Sequence, residues 1–256
     1  MKNLIYAVLA MLIISGCSNG GTQTSTIEGI KFDSIVVDSS LALSGVHDAP
    51  RCQVAFSIRY ATGARARLIN QTLSYSGILP FSIDEGKSRT RSAVDTFVKK
   101  QIEEYAKDYS DLYNQDKSRR AFYNVGYRIR TAIENRREGI LNYFAYYTYT
   151  SGGSADTHQT LVNNINVKTG KLITLDDLFI SGYELPVKTL IIEELSRKYH
   201  LDFTTDNLYI PYNFILDSRK ITFIYNENEI APHQAGELQI DIDIDKVEDF
   251  LKNGYK

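Results

Sequence analysis

The strongest constraint in this chain is the alternation Glu237-Leu-Gln-Ile-Asp-Ile-Asp-Ile244. Period two places Leu238, Ile240, Ile242 and Ile244 on one face of a strand and the polar residues on the other. Upstream, Ile221-Thr-Phe-Ile-Tyr225 is β-branched and aromatic, which suits a strand buried on at least one face. Pro232 and Gly236 bracket the connection, and Pro232 lacks the N–H that a central strand needs. Val247, Phe250 and Leu251 stand at i, i+3 and i+4, so the tail reads as a short helix closing over the sheet.

Earlier elements follow from the same periodicities. Val54, Phe56, Ile58 and Tyr60 alternate with polar residues from Cys52 to Tyr60, a strand. Leu68–Tyr75 fits a strand or a short helix. Ser88–Tyr113 is a helix, since Val94, Phe97, Val98, Ile102, Tyr105 and Tyr109 form one stripe and the charges lie outside it. Phe122–Ile133, Ile140–Tyr149 and His158–Val167 read as strands, with Asn135–Gly139 and Ser151–Ser154 as their turns. Asp176–Phe179 is a helical corner and Leu185–Tyr199 a second helix with Pro186 near its start. Strands in runs, separated by two long helices, predict an α+β fold: a mainly antiparallel sheet with two principal helices on one face.

Several of these stretches carry a family resemblance. Asn213-Phe214, the Ile221–Tyr225 strand, Glu229-Ile-Ala-Pro232 and Gly236 resemble the signature of the RsiV/PdaC-type extracytoplasmic domain. Asn164–Phe179 resembles that family's middle motif. Tyr149–His158 is a looser version of its Gly-Gly stretch, departing at Asp156-Thr157. The resemblance covers 149–252 specifically and extends more thinly over 28–148. It implies the outer domain of a lysozyme-sensing anti-sigma factor, a domain that also stands beside peptidoglycan deacetylases. This chain shows neither the cytoplasmic segment and transmembrane helix of the former nor the deacetylase motifs of the latter.

Residues 1–16 read as a lipoprotein leader. Lys2 precedes eleven uncharged residues, Leu4–Ile14, too few for the roughly 20 a bilayer-spanning helix needs. Ile14-Ser-Gly-Cys17 resembles a lipobox, with Cys17 as the acylated residue and 17–27 as a small, polar tether. The expectation is an exported protein held at the cell envelope by lipid, at an outer membrane or cell surface. Loss of Lys2 takes the net charge from −2 to −3, and no basic stripe suggests nucleic acid.

Catalytic chemistry is thinly represented. Of two cysteines, only Cys52 remains beside Cys17, so no internal disulfide is available and no partner histidine marks a thiol nucleophile. His47, His158, His200 and His233 lack metal-ligand spacing. His158 and His233 either converge as a metal or proton-transfer site or stand as two histidines on loop rims. No phosphate loop, catalytic residue, metal site or cofactor is assigned, and an enzyme is the weakest reading.

Eighteen tyrosines and no tryptophan leave aromatic surface as the main functional signal. Tyr143, Tyr147 and Tyr149 share one strand face; Phe144 and Tyr146 share the other. The absence of tryptophan favours a protein ligand over a glycan. The leading expectation is a non-enzymatic recognition module for lysozyme or another envelope protein. Its candidate contacts are Tyr147, Tyr149, Gly152, Gly153, His158, Glu229, Ile230, Pro232 and His233. The alternative is a peptidoglycan- or glycan-associated accessory lipoprotein.

Overall fold

The computed structural model describes residues 25–84 and 86–256; the expected leader, Cys17 and most of the tether lie outside them. A six-stranded sheet has the order β1 (Ser25–Ile27), β2 (Ile30–Ala42), β3 (Arg51–Thr62), β4 (Val125–Arg137), β5 (Ile140–Ser151) and β6 (Thr157–Asn166). Neighbours run antiparallel except β3 and β4, which are parallel. A parallel pair needs a long crossover. Here it is α1 (Ala66–Tyr75), α2 (Lys87–Gln115) and the 3-10 segment Lys117–Tyr123. The ambiguous stretch around Leu68–Tyr75 is therefore helical. Its Asn70 side chain accepts the Ala61 N–H at 2.9 Å and donates to the Ala61 carbonyl at 3.0 Å, tying the helix to the end of β3.

The first core lies between these helices and one sheet face. Cys52, Val54, Phe56, Ile58 and Tyr60 from β3 meet Val94, Val98 and Tyr105 of α2, all buried. Burial pushes the Cys52 thiol up to about 11, which leaves it a small, unreactive core residue. The outer side of α2 carries the i,i+4 pairs Arg91–Asp95, Lys99–Glu103 and Lys100–Glu104.

The mixed α+β class holds, with one addition: a second, three-stranded sheet. It is built from β7 (Phe214–Leu216), β8 (Lys220–Tyr225) and β9 (Leu238–Asp243), after α3 (Leu175–Leu178) and α4 (Glu184–Tyr199). Leu238, Ile240 and Ile242 face its core with Val187, Ile191 and Leu195 of α4. The two long helices are thus divided between the sheets, because each sheet has its own apolar face to cover. The tail begins as α5 (Ile244–Val247) and tightens to a 3-10 turn, Glu248–Phe250, before Leu251 bridges to Phe179.

Apolar packing and buried amides join the sheets. Phe144 and Val162, on the face of the large sheet away from α2, pack against Ile215 and Ile224. Beside them, Asn142 Nδ2 donates to Asn164 Oδ1 at 2.9 Å and to the Leu216 carbonyl at 3.1 Å. Asn164 in turn donates to the Phe214 carbonyl at 2.8 Å and accepts the Leu216 N–H at 3.0 Å. Buried amides matched in this way specify one docking register.

The α3 corner is closed by a capping box between Thr174 and Asp177. Hydrogen bonds from Thr174 hold the Asp177 carboxyl below its ordinary 3.8. A depressed carboxylate stabilises above its unfolded pKa and loses that contribution as pH falls through the folded value. Asp177→Ala should therefore cost about 1 kcal/mol at pH 7. Urea midpoints of the two proteins should converge well below pH 3.8. Equal midpoints at pH 7 would refute the role given to this cap.

Candidate functional site

β6 is an edge of the large sheet, and its outward N–H groups need partners. They receive side chains instead of a strand. His158 N–H donates to Glu227 Oε2 at 2.9 Å, Thr160 N–H to Asn226 Oδ1 at 2.7 Å, and Val162 N–H to Asn213 Oδ1 at 2.9 Å. Asn213 Nδ2 returns a bond to the Thr160 carbonyl at 2.7 Å. Three polar side chains from the second unit thus occupy alternate positions along the edge, matching the strand's own repeat.

The same stitching brings His158 and His233 to one carboxylate. Glu227 Oε2, which holds the His158 N–H, lies 3.3 Å from His233 Nδ1. The His158 ring turns elsewhere, to Thr148 Oγ1 at 3.3 Å. The convergence is therefore through backbone and one ring, on an exposed loop rim. Among the described residues, no three His, Cys, Asp or Glu side chains gather as a metal-holding group.

Glu229, though exposed, is bonded back to its own loop. It accepts the Asn226 N–H at 2.6 Å and the Tyr209 hydroxyl. Tyr225 closes the arrangement by donating to the Tyr209 carbonyl at 2.5 Å. Ile230 is half-buried against the second core and Pro232 is exposed, opening the 3-10 turn His233–Ala235.

Gly152 and Gly153 form the β5–β6 turn. A Cβ on Gly152 would stand 1.9 Å from the Phe122 carbonyl oxygen, so this glycine permits the close approach of two backbones. Gly153 has φ +81° and lies under the Phe122 ring.

Tyr147 and Tyr149 belong to the opposite face of the sheet. They are paired in register with Gln159 and Thr157, whereas Thr148 and His158 point to the other side. Together with Tyr127, Phe97 and Gln101, they line a cleft of about 440 Å³ between α2 and strands β4–β6. Tyr127 stacks on Tyr147 with centroids 6.3 Å apart, and its ring meets Tyr149 edge-on at 6.5 Å. The Tyr147 hydroxyl donates to the Ile78 carbonyl at 2.6 Å, which fixes that ring. Burial pushes the Tyr127 and Tyr147 hydroxyls above their ordinary range, so both stay neutral.

The expected contacts thus fall on two sides of β6. Sequence periodicity identified the tyrosine face but not Tyr127, Phe97, Gln101, Thr157 or Gln159, which meet it only through strand pairing and helix packing. Glu227 and Asn226 read as ordinary loop polar residues until the unpaired edge beside them is known, and Asn213 stands out only through the family resemblance.

The side chains that cover this edge, and the second sheet, fall in one matched segment. Residues 176–245 match the family described as Protein of unknown function (DUF3298). The matched segment runs from within α3 to the start of α5. No curated protein matches the chain. Its fold is similar to the crystal structure of a DUF3298 family member from Bacteroides fragilis, at 22% identity and TM-score 0.74. That alignment covers 90% of this chain and 96% of the other. A DUF3298 family protein from Pseudomonas aeruginosa is similar at 12% identity and TM-score 0.55, over 88% of this chain and 96% of that one. Among the described residues, no helix is long and apolar enough to cross a membrane.

Proposed function

We propose that this protein is a non-catalytic recognition module of the cell envelope, exported and anchored by a lipid on Cys17. In this reading its DUF3298 segment works like the RsiV/PdaC-type ectodomain that the sequence resembles, and its partner is a protein, with a lysozyme-type muramidase as the first candidate. The observation that supports it is the rim around Glu227. There an exposed strand end at His158 and the loop bearing His233 are fixed to one another by a carboxylate whose side chain is only 10% exposed. Loops held rigidly by a scaffold are suited to recognition without large ordering costs.

Calorimetry of residues 27–256 with hen-type lysozyme tests this reading. Micromolar or tighter binding is expected, weakened about 10-fold by His233→Ala, a loss of about 1.4 kcal/mol. No heat with lysozyme would remove the muramidase assignment. Binding untouched by His233→Ala together with Pro232→Ala would remove the rim as its seat.

A further inference from the structure

We propose that the cleft between α2 and β4–β6 is a separate binding site for a neutral, linear saccharide chain. It lies on the opposite face of β6 from the Glu227 rim and does not depend on the protein partner named above.

The lining chemistry supports this ligand class, against the expectation drawn from the missing tryptophan. Tyr127, Tyr147 and Tyr149 supply ring surface, while Gln101, Gln159 and Thr157 supply amides and a hydroxyl. None of these groups carries a charge: the hydroxyls donate and accept, the glutamine nitrogens donate and the glutamine oxygens accept, with the Tyr147 proton already committed to the Ile78 carbonyl. A polyhydroxylated ring needs that combination: an apolar face against an aromatic ring, and hydroxyls that act as donor and acceptor at its rim. The volume of about 440 Å³ falls in the range of roughly 300–1,000 Å³ found for small-ligand sites.

Other occupants fit less well. A peptide adding as a strand needs free edge groups, and those of β6 are taken by Asn213, Asn226 and Glu227. A helical peptide about 10–12 Å across presents an apolar stripe and asks for an apolar groove, not one rimmed by amides. A charged ligand finds no counter-charge in the lining.

The aromatic surface also continues beyond the cleft. Phe97 stands 6.0 Å from Tyr127 and walls an adjoining hollow of about 520 Å³, which Ser92, Thr96, Arg89 and Lys100 also line. Two hollows that share the Phe97 wall suit a chain of repeated units better than a single compact molecule. Tyr147, pinned by its bond to Ile78, needs no reordering on binding.

The test is a titration of the purified protein with the tetramer of N-acetylglucosamine. The chain has no tryptophan, so intrinsic emission reports tyrosine alone. Saturable binding by emission and calorimetry is expected. Tyr149→Ala and Gln159→Ala, both at exposed positions, should each weaken it roughly 3- to 10-fold. His233→Ala should leave it unchanged. No saturation at about 10 mM, well above a millimolar Kd, overturns the assignment, as does an affinity unchanged from the parent protein in both cleft variants. A neutral Gly-Ser peptide of similar length binding as tightly also overturns it. Silence with the saccharide while lysozyme still binds refutes this site alone. Saccharide binding by a protein that ignores lysozyme supports it and counts only against the protein-partner reading.

Discussion

Asn164→Leu is expected to lower the stability of the protein by about 3–5 kcal/mol, measured by urea unfolding. Leucine is close to asparagine in size, so the loss comes from hydrogen bonding and not from a cavity. Two groups lose their side-chain partner, the Leu216 N–H and the Phe214 carbonyl, and the Asn142 amide keeps only the Leu216 carbonyl of its two acceptors. Both asparagines are essentially inaccessible, at 0% and 1% exposure, so water cannot replace what is removed. A buried unsatisfied group costs roughly 1–3 kcal/mol. The damage should also be local in a recognisable way. Amide exchange at Phe214–Leu216 should accelerate before that of β3, because this junction holds the small sheet to the large one. Asn166→Ala is the control from the same stretch. Its side chain only closes a surface turn, accepting from the Lys168 and Thr169 N–H groups. If Asn164→Leu proves no more damaging than Asn166→Ala, the junction does not hold the sheets together.

The same asparagine shows what the sequence could and could not convey. Residues 238–244 were legible because period-two alternation writes burial directly into the chain, and Leu238, Ile240 and Ile242 are each at most 1% exposed. The α2 stripe was legible for the same reason at helical period. β2 was not, although it pairs with β3 along nearly its whole length. Its buried apolar residues fall at Ile30, Phe32, Ile35 and Val37, so the pattern changes phase partway along. No single template fits such a strand. The parallel pairing of β3 with β4 left no local trace either, since it joins Cys52 to Val125 across two helices. Tyr147 and Tyr149 could be placed on one face by parity. Their neighbours could not, because Tyr127 and Gln159 reach them only across strands whose register is set elsewhere. Asn164, Asn213 and Asn226 carry no periodic signal at all. A polar residue that caps a strand edge and one that merely faces water look alike until the edge is known.

Gly152→Ala should cost about 3 kcal/mol and should also disturb binding. The added Cβ would lie 1.9 Å from the Phe122 carbonyl oxygen, 2.1 Å from its carbon and 2.5 Å from its Cα. These are backbone atoms, so no side-chain rotation relieves the contact, and the turn must move away from the Lys117–Tyr123 segment. That movement has two consequences. Tyr123, whose carbonyl accepts the buried Tyr105 hydroxyl at 2.9 Å, sits next to the displaced residue, so the C-terminal half of α2 should loosen. Tyr149 and Thr157 flank the turn as its last paired residues, so the cleft mouth should widen. Thermal unfolding should therefore shift downward, and the affinity for the N-acetylglucosamine tetramer should fall by more than in Gln159→Ala. Phe122→Ala separates the two effects, because it removes the ring over Gly153 while leaving both backbones in place. It should cost less stability than Gly152→Ala and leave saccharide affinity within about twofold, a few tenths of a kcal/mol. A Gly152→Ala protein as stable as the parent would mean that the two backbones part freely. The glycine would then be required for something other than their close approach.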